Sequence, residues 1–166
     1  KSFQGAPGRM EKIEIDNKEV SRSHPTVIID YAHTPDGLKK VLQSIKKLCK
    51  GKLITVFGCG GDRDRSKRPL MGSIAEEFSD HVFVTSDNPR AEEPQKIVND
   101  ILMGIEKREK ITVEIHRFKA INESIKFANK EDIVLIAGKG HENYQILNDK
   151  VIDFDDRKIA YKLLED

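Results

Sequence analysis

A carboxylate, an amide and a guanidinium follow one another closely in the run Ser86-Asp87-Asn88-Pro89-Arg90. The run comes after an apolar stretch, His81 to Thr85, that predicts a buried strand, and before a helical pattern that opens near Glu92. In an open α/β sheet, ligands bind at the carboxyl ends of the strands. The carboxylate can accept from an ammonium group, and the guanidinium offers a planar fork for a carboxylate. These residues at this spacing indicate a site for a zwitterionic amino acid.

Three other predicted strands also end in polar or glycine-rich sequence. Because the carboxyl ends of parallel strands meet at one edge of a sheet, we expect all four segments to contribute to one site. The three segments are Asp30-Tyr31-Ala32-His33-Thr34-Pro35-Asp36, Gly58-Cys59-Gly60-Gly61-Asp62-Arg63-Asp64-Arg65 and Gly138-Lys139-Gly140-His141-Glu142.

Each segment also has a plainer interpretation. The turn Gly58 to Gly61 matches neither common nucleotide-binding glycine motif, yet the arginines that follow favour a ligand role over a simple turn. Lys67 and Arg68 are more simply a solvated basic face. Asp36 is expected to cap the following helix, and His33 could equally pair with Asp30 or contact a nucleotide.

The elements that must position these segments alternate between strands and helices. This order predicts right-handed βαβ units and an α/β, Rossmann-like, doubly wound, mainly parallel sheet in a single domain, 1–166. The predicted strands are Arg9–Ile15, Thr26–Asp30, Lys52–Phe57, His81–Thr85, Ile111–Ile115 and Asp132–Ala137, with a hairpin at Tyr144–Leu147 and Val151–Phe154. The predicted helices are Pro35–Lys50, Arg68–Phe78, Pro94–Arg108, Lys119–Asn129 and Asp155–Leu164.

Composition narrows the class of protein. The chain has 166 residues, of which 34% are charged, and a net charge of only +1, which argues against a nucleic-acid binder. No apolar run is long enough to span a bilayer and no signal peptide is evident, so we expect no membrane partner.

The first residue is Lys1 rather than Met, which suggests a fragment or a processed chain. Cys49 and Cys59 fit neither a disulfide framework nor a zinc site and are expected to be reduced thiols in a cytoplasmic protein, and a functional role stays open for Cys59 in its glycine-rich turn.

The residues alone therefore predict a binding domain for a small dipolar metabolite, which could also take a nucleotide. They contain no Ser-His-Asp order and no metal-ligand cluster.

Five segments, in this order along the chain, closely resemble the C-terminal domain of the Mur ligases. The resemblance extends from Gly5 to the last helix and implies the α/β fold of that domain, with residues 1–25 leading in from a central domain that this chain lacks. The segments are Pro7-Gly8-Arg9-Met10-Glu11, Asp30 to Asp36, Gly58 to Asp64, Asp87 to Arg90 and Gly138 to Glu142.

The resemblance implies an ATP-dependent amide ligase of peptidoglycan synthesis, and within the family a member that adds meso-2,6-diaminopimelate to UDP-N-acetylmuramoyl-L-alanyl-D-glutamate. Such enzymes phosphorylate the dipeptide carboxylate with ATP, and the incoming amine attacks the acyl phosphate. ATP and Mg²⁺ are expected to be bound mainly by the absent central domain. We therefore expect no catalytic residue and no metal ligand in this chain, no turnover by the chain alone, and a monomer.

The resemblance also assigns residues to ligands. Arg90 would clamp the distal carboxylate of diaminopimelate with help from Asn88 and Arg63, and Glu142 with the Gly138 carbonyl would accept from the distal ammonium. The amino-acid site is implied to comprise Arg63, Asp87, Asn88, Pro89, Arg90, Gly138 and Glu142. The residues implied to approach ATP are Arg9, Asp30 and His33.

Two alternatives remain open from the sequence. One is a related ligase that adds L-lysine or another amino acid, or acts on folate or cyanophycin. The other is a stand-alone module that binds an amino acid or a nucleotide. A phosphate loop encoded upstream of Lys1 would favour a ligase over the module.

Overall fold

The computed structural model of this chain describes residues 8–16 and 23–165. Within these residues, six strands form one sheet in the order β1-β2-β6-β3-β4-β5. All neighbouring pairs are parallel except β1, which runs antiparallel to β2. The strands are β1 (Glu11–Lys12), β2 (Thr26–Asp30), β3 (Leu53–Phe57), β4 (His81–Val84), β5 (Ile111–Val113) and β6 (Ile133–Ala137).

Helices cover both faces of the sheet, and a separate hairpin follows β6. The helices are α1 (Pro35–Lys46), α2 (Lys67–Phe78), α3 (Pro94–Leu102), α4 (Arg117–Phe127) and α5 (Asp156–Glu165); the hairpin strands are β7 (Tyr144–Leu147) and β8 (Lys150–Asp153). No helix among the described residues is both long enough and apolar enough to cross a membrane.

Two hydrophobic clusters lie on opposite sides of the sheet. Side chains of α1, α2 and α3 pack on one face with Ile28 and Leu135, and side chains of α4 and α5 pack on the other face with Ile29 and Ile136. Because successive strand residues point to opposite faces, both faces of β6 must be apolar, which explains its uninterrupted Ile-Val-Leu-Ile-Ala sequence. The predicted doubly wound, mainly parallel fold is confirmed.

Several element boundaries differ from the sequence-based expectation. Helix α3 ends at Leu102 rather than Arg108, since Gly104 packs directly on the backbone of Pro69 and the carboxylate of Glu76 accepts from the amides of Glu106 and Lys107. These contacts stabilise a turn in place of the six further helical residues that the sequence predicts up to Arg108.

The start of α1 is also capped differently. The hydroxyl of Thr34 accepts from the amide of Gly37 at 3.1 Å, whereas Asp36 lies in the first turn and pairs with Lys40. The expectation that Asp36 caps this helix is therefore wrong, because the helix begins at Pro35 and its N-cap is Thr34, two residues before Asp36.

At the amino-terminal end, only part of the predicted lead-in 1–25 can be compared. The predicted strand Arg9–Ile15 is reduced to β1, although the amide of Ile13 still donates to the carbonyl of Val27 at 3.0 Å. Residues 1–7, including Pro7 of the first family-like segment, and residues 17–22 lie outside the described part of the chain.

Candidate functional site

A cavity of about 560 Å³ opens beyond the carboxyl ends of β2, β3, β4 and β6. These four strands are neighbours in the parallel part of the sheet, and each is followed by one of the polar segments noted in the sequence. The predicted site residues that line the cavity are His33, Arg63, Asp87, Asn88, Arg90, Gly138 and Glu142. The topology thus joins segments that are far apart in the chain.

Asp87 places a carboxylate in the cavity with little exposure to solvent. The residue is 8% exposed, and burial raises the pKa of its carboxyl group, although the positive charges of Arg117 and Lys139 oppose that rise. No described residue donates a hydrogen bond to this carboxylate, so it is an acceptor in need of a donor. The glycine at 138 makes room for it: a Cβ there would lie 2.7 Å from Oδ2 of Asp87.

Asn88 has its amide fixed by three partners. Its Oδ1 accepts from Nζ of Lys139 and from the amide of Ile146, both at 3.0 Å. Its Nδ2 donates to Oε2 of Glu142 at 3.1 Å. Since a carboxamide has a donor end and an acceptor end, these partners determine that the NH₂ end of Asn88 faces Glu142.

One carboxylate oxygen of Glu142 is hydrogen-bonded within the protein, and the other is available to a ligand. Its Oε2 accepts from Asn88 and from Nζ of Lys139, the latter at 3.2 Å, while no described residue donates to Oε1. A carboxylate oxygen has lone pairs to spare, so this group can accept from a ligand ammonium without losing its internal partners.

Arg90 is held by its backbone and by one end of its guanidinium. Its backbone has φ of 52° and pairs with the β7–β8 hairpin, donating to Ile146 and accepting from Asn148. Its Nη1 donates to the carbonyls of Gly61 at 2.8 Å and Asn88 at 3.3 Å. Its Nε and Nη2 have no hydrogen-bond partner among the described residues, and they can donate to a carboxylate.

Pro89 and Arg63 take different places from the rest of the predicted amino-acid site. Pro89 is buried and does not line the cavity; its carbonyl accepts from the amide of Glu92, so it shapes the turn that carries Arg90. Arg63 lines the cavity mouth from an exposed position, and its Nη1 donates to the carbonyl of Asp62 at 3.3 Å.

The three residues expected near ATP are not brought together in the cavity. Asp30 is buried, and its two carboxylate oxygens accept from the amides of Met10 and Ala32 at 2.8 and 2.7 Å. His33 lines the cavity from an exposed position, with Nδ1 2.8 Å from the carbonyl of Tyr31. Arg9 is exposed and does not line it.

Arg68 is part of the site framework, and the expectation that it belongs to a solvated basic face is wrong. Its side chain is 1% exposed and donates to Glu92 and Asp100 as well as to the carbonyl of Gly60 at 3.1 Å. The hydrogen bond from Arg68 holds the pKa of Glu92 at about 2. Lys67 is exposed, as expected.

A buried ion pair that was not expected from the sequence lies behind the cavity. Arg117 contacts Asp156 through two nitrogens at 2.9 and 2.7 Å, and both side chains are fully buried. Arg117 also donates to the carbonyls of Ser86 and Ala137, the residues that precede Asp87 and Gly138. This arginine therefore fixes the ends of β4 and β6 relative to each other.

Cys59 lines the cavity but is not equipped to be a nucleophile. Burial raises the pKa of its thiol to about 12, and its Sγ lies 3.8 Å from Sδ of Met71. The reactive form of a cysteine is the thiolate, which is scarce at neutral pH under these conditions. In residues 8–16 and 23–165, no group of three or more His, Cys, Asp or Glu side chains could hold a metal ion.

The chain matches a known protein family but spans only part of the length of its relatives. Residues 8–140 match the family model described as "Mur ligase, glutamate ligase domain". The chain is 90% identical over 165 residues to the UDP-N-acetylmuramoyl-L-alanyl-D-glutamate–2,6-diaminopimelate ligase of Prochlorococcus marinus subsp. pastoris, an alignment that covers 99% of this chain and 32% of that protein. The chain thus spans about a third of the length of the curated relatives that it matches.

Solved structures agree on the fold. A structure of a protein with the same ligase name superposes with a TM-score of 0.87 at 43% identity, covering 98% of this chain and 32% of that one. The folylpolyglutamate synthase of Mycobacterium tuberculosis, solved with ADP and AMPPCP, superposes with a TM-score of 0.60 at 22% identity over 81% of this chain and 30% of that one. The second likeness is evidence of a shared fold alone.

Proposed function

This chain belongs to the Mur ligase family, and we propose that its cavity binds meso-2,6-diaminopimelate for an ATP-dependent amide ligase of peptidoglycan synthesis. In this role residues 1–166 are the C-terminal domain, with residues 1–25 leading in from a central domain. The acceptor of the amino acid is UDP-N-acetylmuramoyl-L-alanyl-D-glutamate.

One observation carries the proposal: a guanidinium with two uncommitted nitrogens shares a cavity with two carboxylates that have uncommitted oxygens. Arg90 supplies the cation, and Asp87 and Glu142 supply the anions. The distal end of diaminopimelate carries one carboxylate and one ammonium on the same carbon. Its carboxylate would pair with Arg90, and its ammonium would donate to Glu142, to Asp87 and to the carbonyl of Gly138.

The same arrangement accounts for a preference over L-lysine. Lysine has a distal ammonium but no distal carboxylate, so Nε and Nη2 of Arg90 would remain without an anionic partner. A site built to hydrogen-bond a group discriminates strongly against a ligand that lacks it, because the protein group stays unpaired.

Activation of the acceptor would take place elsewhere in the enzyme. ATP, with Mg²⁺ held mainly by the central domain, would supply the acyl phosphate, and this chain would hold the attacking amine in line with it. Arg9, Asp30 and His33 remain the residues that we propose to meet ATP. Since Asp30 already braces the backbone around Met10 and Ala32, ribose contact would require closure of the domains to bring the nucleotide to it.

The proposal can be tested by mapping where meso-2,6-diaminopimelate contacts the isotope-labelled chain. We expect amide shifts confined to the turns 87–90 and 138–142, with the side-chain amide of Asn88 among them. Shifts restricted to other surfaces, or an equal response to L-lysine, would contradict it; the latter would favour a lysine-adding relative.

A further inference from the structure

We propose that Lys139 is a positioning residue that makes the cavity selective for a ligand end carrying both charges. The inference rests on the proposed function, and it concerns a residue that cannot itself reach the ligand. Lys139 is fully buried and does not line the cavity. Its ammonium lies behind Asn88 and Glu142, two of the residues that line the cavity, and contacts both side chains.

The position of Lys139 is set by its own backbone and by an aromatic ring. It stands between two glycines with positive φ, Gly138 at 113° and Gly140 at 53°, conformations that favour glycine. Its Nζ lies 5.5 Å from the centre of the Tyr144 ring, close enough for a cation–π contact. The ammonium is thereby surrounded by Asn88, Glu142 and Tyr144 rather than by solvent.

Lys139 acts on the orientation of Asn88. The ammonium has donors only, so its contact with Asn88 requires the carbonyl end of the amide to point inward. The NH₂ end is then directed to Glu142, which leaves Oε1 of Glu142 for a ligand. Lys139 thus contacts both cavity side chains, and it shares the orientation of Asn88 with the amide of Ile146, which donates to the same oxygen.

Lys139 also compensates the negative charge of Glu142. Its contact with Oε2 of Glu142 forms a pair without net charge, and such a pair interacts strongly because the lysine side chain is wholly buried. A ligand ammonium placed at Glu142 therefore meets a carboxylate that is already compensated. Asp87 remains a second acceptor for that ammonium, which binds more tightly when it brings its own carboxylate for Arg90.

Without Lys139, the preference of the cavity for a zwitterionic ligand end would weaken. Glu142 would keep a full negative charge next to the cavity, and a partner left alone in a buried pair is costly until another cation compensates it. A ligand with a bare distal ammonium, such as L-lysine, would supply that cation. The zwitterionic end of diaminopimelate would supply it together with an anion and would gain less.

The test is a calorimetric comparison of the unmodified chain with Lys139→Met, which has a similar length and no charge. For each protein the ratio of the affinities for meso-2,6-diaminopimelate and L-lysine is measured. We expect Lys139→Met to lower this ratio by about tenfold or more, and Lys139→Arg, which keeps the charge, to retain more of it. Lys119→Met, at an exposed position of α4, is the matched control and should leave the ratio unchanged.

A purely structural role would weaken both ligands together, so an unchanged ratio in folded Lys139→Met would overturn the inference even if both affinities fell. If the unmodified chain binds neither amino acid, the proposed binding by the chain fails, but the inference is still decided by NMR of the free protein. The side-chain amide signals of Asn88 should then shift and broaden in Lys139→Met and not in Lys119→Met. Unchanged Asn88 signals would overturn it.

Discussion

Nη1 of Arg90 lies 2.8 Å from the carbonyl oxygen of Gly61, so the residue at the end of the β4 turn is fastened to the turn after β3. The amide of Gly61 donates in return to the carbonyl of Asn88 at 2.9 Å. Arg68 holds the neighbouring Gly60 carbonyl from behind. The guanidinium that we propose to clamp a carboxylate is thus oriented by the protein itself, which lowers the cost of ordering it on binding.

Replacing Arg90 tests the carboxylate clamp. Arg90→Ala removes a charged, potentially bidentate pair, and we expect the affinity for meso-2,6-diaminopimelate to fall by about 30- to 1000-fold, or roughly 2–4 kcal/mol, with little change for L-lysine. Isothermal titration measures both. Arg108→Ala, at an exposed site of the turn before β5, is the control and should bind normally. Equal losses for the two amino acids would show that Arg90 does not recognise the distal carboxylate.

Protons should leave the protein when the ligand binds. Burial raises the pKa of Asp87, and a ligand ammonium beside it would favour the charged form and bring that pKa down. Binding should release protons at pH values between the lowered and the raised pKa, and none well above the raised one. Calorimetry in two buffers that hold the same pH and differ in ionisation enthalpy, such as acetate and MES, measures the release. Identical binding enthalpies in both buffers at every pH would refute the role of Asp87.

Acid should weaken the framework around Arg68. The folded-state pKa of Glu92 is about 2, below its ordinary value of 4.5, because Arg68 donates to its carboxylate. A lowered folded-state pKa adds stability that is complete above the ordinary value and is lost as the pH falls from about 4.5 towards 2. Glu92→Gln should lower the melting temperature at neutral pH and flatten its dependence on pH in that window.

The neighbouring residue provides the control for this experiment. Glu93 is exposed and lies 3.7 Å from Lys96, so Glu93→Gln should keep both the melting temperature and its acid dependence. If Glu92→Gln and Glu93→Gln behaved alike, the pairing of Glu92 with Arg68 would not be a source of acid sensitivity.

Removing one partner of the buried pair Arg117–Asp156 should strongly lower the free energy of unfolding. Arg117→Met leaves Asp156 charged and buried, and we expect a loss of about 3–5 kcal/mol in the free energy of unfolding by urea. Arg157→Ala removes a partly exposed pair with Asp155 and should cost less than about 1 kcal/mol. A loss from Arg117→Met no larger than that of the control would mean that the buried pair stabilises the fold no more than an exposed pair does.

Much of the fold could be predicted from the sequence because its signals are local. The apolar run of β6 and the spacing of Leu38, Leu42 and Ile45 on α1 are set by the periods of a buried strand and an amphipathic helix. The end of α3 could not be predicted in this way. It depends on Gly104 meeting Pro69 and on Glu76 capping a turn 30 residues away, and these contacts exist only in the folded chain.

The same distinction between local signals and long-range contacts applies to the residues of the candidate site. Asp87, Asn88 and Arg90 stand out because three functional groups follow one strand, and the parallel order of the sheet adds Gly138 and Glu142. Lys139 lies in one of the segments expected at the site, but its sequence does not reveal its role, and Arg117 carries no signal of this kind. A lysine between glycines resembles an exposed turn, and an arginine at the start of a helix resembles a surface residue, whereas both are buried by partners distant in sequence.

Recognition of a zwitterionic distal end can be measured by calorimetric titration of the chain with meso-2,6-diaminopimelate, run beside L-lysine under the same conditions. We predict saturable heat with meso-2,6-diaminopimelate and at least about thirtyfold weaker binding of L-lysine, because only the former offers Arg90 a carboxylate. Binding of L-lysine with equal or greater affinity would contradict the claim that this cavity recognises a zwitterionic distal end.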